Sequence, residues 1–281
     1  MVGRRDFLRT LSGAALGALA SGCADRSRAT GARRLDRIGL QLYTVRSAMA
    51  EDFDGTLARV AEIGYREVEF AGYFDRDPAA VKSALANAGL AAPAAHVPLE
   101  MVRDDLPRLL EAARTIGQRW LVVAWIPEEE RSADGYRAVA DLFNRAGDDA
   151  RAAGLRFAYH NHDFEFVDVD GRLPYDILLA ETDAELVEFE LDLYWITRGG
   201  YDPVAYFDRH PGRFPLVHVK DSAGPPDHRM VDVGAGVIDF AAIFARSERA
   251  GIRHYFVEHD NPPDPFASIA ASYDYLSNLS F

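Results

Sequence analysis

At 281 residues, 48% of them hydrophobic, the chain can bury one large core, and a single domain of about 250 residues is ordinary for an α/β barrel. The formal charge of −13 is unevenly spread: residues 1–34 hold seven arginines against Asp6 and Asp25, leaving −18 on the remainder, which argues against nucleic acid as a partner. That body also lacks the arginine cluster of a tight sugar-phosphate site, and the single cysteine, Cys23, excludes an internal disulfide and a cysteine-based zinc site.

The first element in chain order is a targeting segment. Arg4-Arg5-Asp6-Phe7-Leu8 precedes an apolar run of small residues, 11–20, too short to span a bilayer as a stable helix. It resembles a bacterial twin-arginine export signal, which predicts an exported, periplasmic protein. Cys23 has two readings. Leu19-Ala20-Ser21-Gly22-Cys23 resembles a lipoprotein cleavage box, which would make the protein a membrane-anchored lipoprotein through Cys23. Alternatively, Ala18-Leu19-Ala20 is an ordinary A-x-A cleavage site and Cys23 is incidental.

After a polar linker to Arg34, strand-like and helix-like segments alternate eight times over 35–281. The strands are expected at 38–43, 67–70, 92–97, 120–124, 156–160, 187–191, 216–219 and 255–258. Helical periodicity follows each, at 55–63, 79–88, 106–116, 136–153, 175–180, 203–207, 240–250 and 265–279. Gly64, Gly89, Gly117, Gly154 and Gly251 suit left-handed caps between a helix and the next strand. Eight such units with right-handed crossovers, and no Gly-rich nucleotide loop, predict a single-domain (β/α)8 TIM barrel.

In such a barrel the carboxyl end of each strand lines the active-site mouth. The residues placed there are Gln41, Tyr43, Glu69, His96, Trp125, His160, His162, Asp192, His218, Lys220, Glu258 and Asp260. His160, Asp192, His218 and Glu258 each end a short apolar run, and their nitrogen and oxygen donors suit one divalent ion, Mn, Co, Zn or Fe, better than calcium. Each also has a plainer reading, a hydrogen-bonded rim histidine or a helix-capping aspartate.

The motifs GLQLYTVR (39–46), VEFAG (68–72), YHNHDFEF (159–166), LDLYW (191–195), HVKD (218–221), VGAGVIDF (233–240) and FVEHD (256–260) resemble the sugar phosphate isomerase/epimerase family of xylose-isomerase-like TIM barrels. That resemblance implies a metal held by Glu, Asp, His and Glu on successive strand ends. The last three fall on Asp192, His218 and Glu258; His160 stands where the first Glu is usual, and Glu165 is a loop residue with an alternative claim to that position.

In the ketose epimerases of this family, the two metal-bound glutamates serve opposite faces of the substrate. Here His160 breaks that symmetry. The resemblance implies a metal-dependent isomerase/epimerase-type enzyme on an unphosphorylated sugar or keto-sugar. Its alternative is a lyase or hydratase of 3-keto-glycosides working by β-elimination, and a non-catalytic sugar-binding barrel is the reading from another class. Glu258, His162 and Lys220 are the expected catalytic residues, although Lys220 has the plainer reading of an ion pair with Asp221. Gln41, Tyr43, Glu69, His96, Trp125, Trp195 and Arg229 are the expected substrate contacts, with Arg229 in a polar loop.

Overall fold

The strand-forming runs close into one parallel ring. The computed structural model describes residues 32–281; the export segment and Cys23 lie outside the described residues. The strands are β1 (Gly39–Gln41), β2 (Glu67–Phe70), β3 (Ala91–Val97), β4 (Trp120–Val123), β5 (Arg156–His160), β6 (Val187–Asp192), β7 (Leu216–Val219), β8 (Asp221–Ser222), β9 (Met230–Val231) and β10 (His254–Val257). β1 to β7 and β10 form the closed barrel, with β1 hydrogen-bonded to both β2 and β10. β8 and β9 make a small antiparallel ribbon beyond β7.

Several expected boundaries shift, two of them for a visible reason. The first strand stops at Gln41 rather than residue 43, because the Gln41 side chain accepts the Tyr43 N–H at 3.0 Å and turns Leu42–Val45 into a 3-10 helix. Tyr43 is thereby turned out, 40% exposed under the Arg46 guanidinium. The sixth strand runs on to Asp192, whose Oδ1 accepts the N–H groups of Tyr194 and Trp195 and starts a helix, Leu193–Arg198, not foreseen from periodicity. The helix expected at 240–250 is broken into Phe240–Phe244 and Ser247–Ala250. At the start of the described body, Arg33 exchanges backbone hydrogen bonds with Phe281, so the packed unit begins before residue 35.

Apolar side chains on the outer face of the ring pack under the helices as the main core. A separate small apolar cluster, Ala94, Trp120, Val122, Ala158, Leu216 and Phe256, fills the lumen. Below it lie Glu67, Glu188 and His254; above it lie Gln41, Glu69, His96, His160, Glu190, Asp192, His218 and Glu258. The lumen is thus a thin apolar plug between two polar layers.

Candidate metal centre

The upper layer gathers the four side chains expected as ligands. Asp192 Oδ2 lies 3.8 Å from His160 Nε2 and 3.8 Å from His218 Nδ1, and His218 Nδ1 lies 2.7 Å from Glu258 Oε2. Register explains the meeting: Asp192 is paired with His218 across β6 and β7, and His218 with Phe256 across β7 and β10. Asp192 does two jobs with two oxygens, Oδ1 capping the following helix while Oδ2 faces the cluster.

Lys220 enters the same cluster from above. Its ammonium lies 3.1 Å from Asp192 Oδ2, 2.7 Å from Glu258 Oε2 and 3.0 Å from Asp260 Oδ1. The plainer reading of Lys220 as the partner of Asp221 is corrected. The Asp221 carboxylate instead collects the backbone N–H groups of Ser222, Gly234, Gly236 and Ile238. A side chain at Gly236 would meet Asp221 Oδ1 at 2.3 Å, so the turn requires glycine there.

Electrostatics follow from this crowding. Burial opposes ionisation of Glu258, but Lys220 and His218 outweigh it and hold the carboxyl well below its usual range. Burial likewise opposes the Lys220 charge, yet Asp192, Glu258 and Asp260 keep it protonated. Asp192 is pushed up to about 6, chiefly by burial. His162, wedged between Trp125, Phe164 and Trp195, is driven down to about 3 by burial and then by Lys220. It is a neutral ring at physiological pH.

The donor set fits a divalent ion. Asp192, His218 and Glu258 offer atoms within 4.8 Å of one another, and His160 presents Nε2 to Asp192. Asp192 Oδ2 and His218 Nδ1 are buried and make no hydrogen bond despite these short approaches, as expected of atoms aimed at a shared third partner. A carboxylate oxygen has two lone pairs, so Asp192 and Glu258 can serve both Lys220 and an ion. A second group, His96, His160, Glu190 and His218, lies one layer deeper.

Several expected substrate contacts lie elsewhere than foreseen. Gln41 and Glu69 are fully buried, paired with each other at 2.8 Å beneath the ligand ring, and do not face substrate as placed. His96 keeps a slightly exposed side chain while its Nε2 reaches Glu190 at 2.8 Å. Trp125, 52% exposed, and Trp195 flank His162 at the mouth. Arg229 is solvent-exposed beside β9. Glu165 accepts from the Tyr159 hydroxyl and, at 2.8 Å, from the His162 backbone, so it serves the loop after β5. Glu190 was not foreseen, yet the alternation Glu188-Glu190-Asp192 carries a signal. In a parallel strand covered on both faces, acids at every second position must face the lumen.

A family model described as a xylose isomerase-like TIM barrel matches residues 57–279. The chain belongs to that family. An inosose dehydratase from Geobacillus kaustophilus (strain HTA426) is 26% identical over 238 residues, 69% of this chain and 75% of its own length. A sugar phosphate isomerase/epimerase from Parabacteroides distasonis ATCC 8503 superposes with a TM-score of 0.77 at 29% identity, over 86% of this chain and 98% of that one. The IOLI protein, solved with a bound zinc atom, shares the fold with a TM-score of 0.69 at 16% identity, over 85% of this chain and 95% of its own.

Proposed function

We propose that the protein is a divalent-metal-dependent enzyme that removes a proton beside the carbonyl of an unphosphorylated keto-sugar and expels the β-oxygen, a dehydratase or lyase. The observation that carries this reading is one-sidedness. An ionised carboxylate, Glu258, and an ammonium, Lys220, stand together 2.7 Å apart, while β5 offers an imidazole, His160, in place of a second carboxylate. The dehydratase name of the sequence relatives supports it.

His160, Asp192, His218 and Glu258 would hold the ion, which supplies a Lewis acid for charge developing on the carbonyl oxygen. Glu258, kept ionised by its neighbours, takes the α-proton. The freed electron pair passes into the carbonyl and returns to form the new carbon–carbon double bond as the β C–O bond breaks. Lys220 gives its proton to the departing oxygen, which leaves as water or an alcohol. Proton return from Glu258 to Lys220 over 2.7 Å resets the pair. The acid role open to His162 passes to Lys220, because a ring driven down to about 3 is neutral at physiological pH and offers no imidazolium proton.

Isomerisation or epimerisation shares the first step, and the isomerase/epimerase name of the 29%-identical structure favours it as the second reading. Incubation of the Mn²⁺-loaded protein in D₂O with ketoses, inososes and 3-keto-glycosides separates the outcomes by NMR. Loss of water or aglycone with an unsaturated product supports the lyase; a deuterated epimer supports the second reading. No exchange in any substrate would return the fold to a sugar-binding role.

Export belongs to the same reading, since unphosphorylated sugars and glycosides are met outside the cytosol. We propose a periplasmic enzyme, with Arg4-Arg5-Asp6-Phe7-Leu8 as its signal and a lipid on Cys23 as its anchor. The mass of the mature N-terminus decides between lipidated Cys23 and cleavage after Ala20.

A further inference from the structure

His160 and His218 each stand between two layers. Upward, His160 Nε2 is 3.8 Å from Asp192 Oδ2, and His218 Nδ1 is 2.7 Å from Glu258 Oε2. Downward, His160 Nδ1 is 3.4 Å from Glu190 Oε2, and His218 Nε2 is 2.7 Å from Glu69 Oε2 and 3.1 Å from Glu190 Oε2. His96 Nε2 lies between the two lower carboxylates, 2.8 Å from Glu190 and 3.3 Å from Glu69, while Gln41 donates to Glu69 at 2.8 Å.

The two layers differ in alignment. His218–Glu69 and His96–Glu190 are well-directed hydrogen bonds. Of the upward approaches only His218–Glu258 is as short, and it is undirected: His218 Nδ1 and Asp192 Oδ2 have no hydrogen-bond partner, and neither has His160 Nδ1, 3.4 Å from Glu190. On His218 the directed bond is the one to Glu69, so Nε2 carries the proton toward that acceptor and Nδ1, which makes no hydrogen bond, is the nitrogen free to present a lone pair.

We propose that Glu69 is a positioning residue that accepts from His218 Nε2 and so aims His218 Nδ1 at an ion shared with His160, Asp192 and Glu258, and that Glu190, 3.4 Å from His160 Nδ1, closes onto that nitrogen when the ion draws His160 Nε2 upward. The deeper group of His96, His160, Glu190 and His218 is then the layer that orients the ligands, and it is not itself the ion site. This rests on the metal-dependent reading above. It makes the replacement of a strand-end carboxylate by His160 intelligible. An imidazole needs an acceptor behind it to fix which nitrogen points forward, and Glu190, two residues before Asp192, provides one within the same lumen.

The test is long-range proton–nitrogen NMR on the full chain loaded with Zn²⁺ and carrying ¹⁵N-histidine. The proposal expects His218 with a protonated Nε2 and a metal-bound Nδ1, and His160 with a protonated Nδ1 and a metal-bound Nε2. The reverse pattern on either ring overturns it, leaving metal dependence intact; absence of Zn²⁺ binding removes the metal reading itself. Titration of Co²⁺ provides a second readout. Glu69→Leu should weaken binding by about 10–100-fold, with partial rescue in Glu69→Gln, which keeps an acceptor. Asp192→Asn should abolish tight binding, while His96→Gln, which removes only the hydrogen bond to Glu190, should weaken it far less. The opposite order would place the ion in the deeper group and overturn the proposal.

Discussion

The two polar layers of the barrel lumen are built from similar residues and treated in opposite ways. At the lower end, Glu67 pairs with His254 at 2.7 Å and Arg37 at 3.3 Å. Glu188 accepts from the Trp120 indole at 2.6 Å and from Arg156. Every buried side-chain polar atom of Glu67, Trp120, Glu188 and His254 has a partner. At the mouth, buried atoms of Glu69, His160, Glu190, Asp192, His218 and Asp260 have none. Unpaired buried polar atoms cost roughly 1–3 kcal/mol each, so a fold that satisfies one end and leaves the other short reserves the mouth for a ligand. The difference teaches that buried charge alone does not mark a site. Unmet hydrogen-bonding capacity gathered on several ligand-type atoms that face one another does.

Exchanging the carboxylates of the two layers sharpens this contrast most. Glu258→Gln should cut deuterium exchange beside the carbonyl by about 10²–10⁴-fold while leaving the melting temperature of the metal-free protein close to that of metal-free wild type, measured by NMR exchange and a melting scan. Glu188→Leu should do the reverse. It strands the Trp120 and Arg156 donors and should cost about 2–3 kcal/mol in urea unfolding, below the value for a fully buried pair because the Arg156 side chain is 38% exposed. Activity per folded molecule should persist. If Glu188→Leu abolishes exchange in a folded protein, the two layers are not separate.

Metal removal comes next in size. Chelation should lower the melting temperature, and Mn²⁺ at a hundred times its dissociation constant should restore about 2.7 kcal/mol in wild type but not in Asp192→Asn.

The smallest effect belongs to Glu165, behind β5, whose carboxyl burial raises from 4.5 to about 7 against the Tyr159 hydrogen bond. A group raised on folding contributes stability that is complete below its unfolded pKa and lost as pH rises through the folded one. Wild type should therefore lose on the order of 2 kcal/mol relative to Glu165→Gln between pH 4.5 and about 7, and no more above it. A flat difference across that window would contradict the assignment.

The fold was legible because most barrel strands are short apolar runs, and five of the eight follow a glycine that ends the preceding helix, as in Ala153-Gly154-Leu155 before β5. Boundaries slipped where a mouth residue also serves the backbone. Gln41 and Asp192 end their strands by capping the next turn, so their side chains belong at once to the site and to local structure. The four strand-end donors were readable because the last inward residue of a barrel strand is easy to pick out. Glu190 was missed because the lumen is more than one residue deep, and Glu69 and Gln41 were set too near the substrate for the same reason. The partner of Lys220 is a long-range matter: Asp221 beside it in sequence is taken by a loop thirteen to seventeen residues on, and Asp192, Glu258 and Asp260 arrive only when the barrel closes.

Anomalous scattering from crystals soaked in Mn²⁺ is the most direct measurement of whether the unsatisfied upper layer is an ion site. The account predicts a single strong peak within bonding distance of His160 Nε2, Asp192 Oδ2, His218 Nδ1 and Glu258 Oε2. A mouth without a peak, its carboxylates still gathered around Lys220, would contradict it.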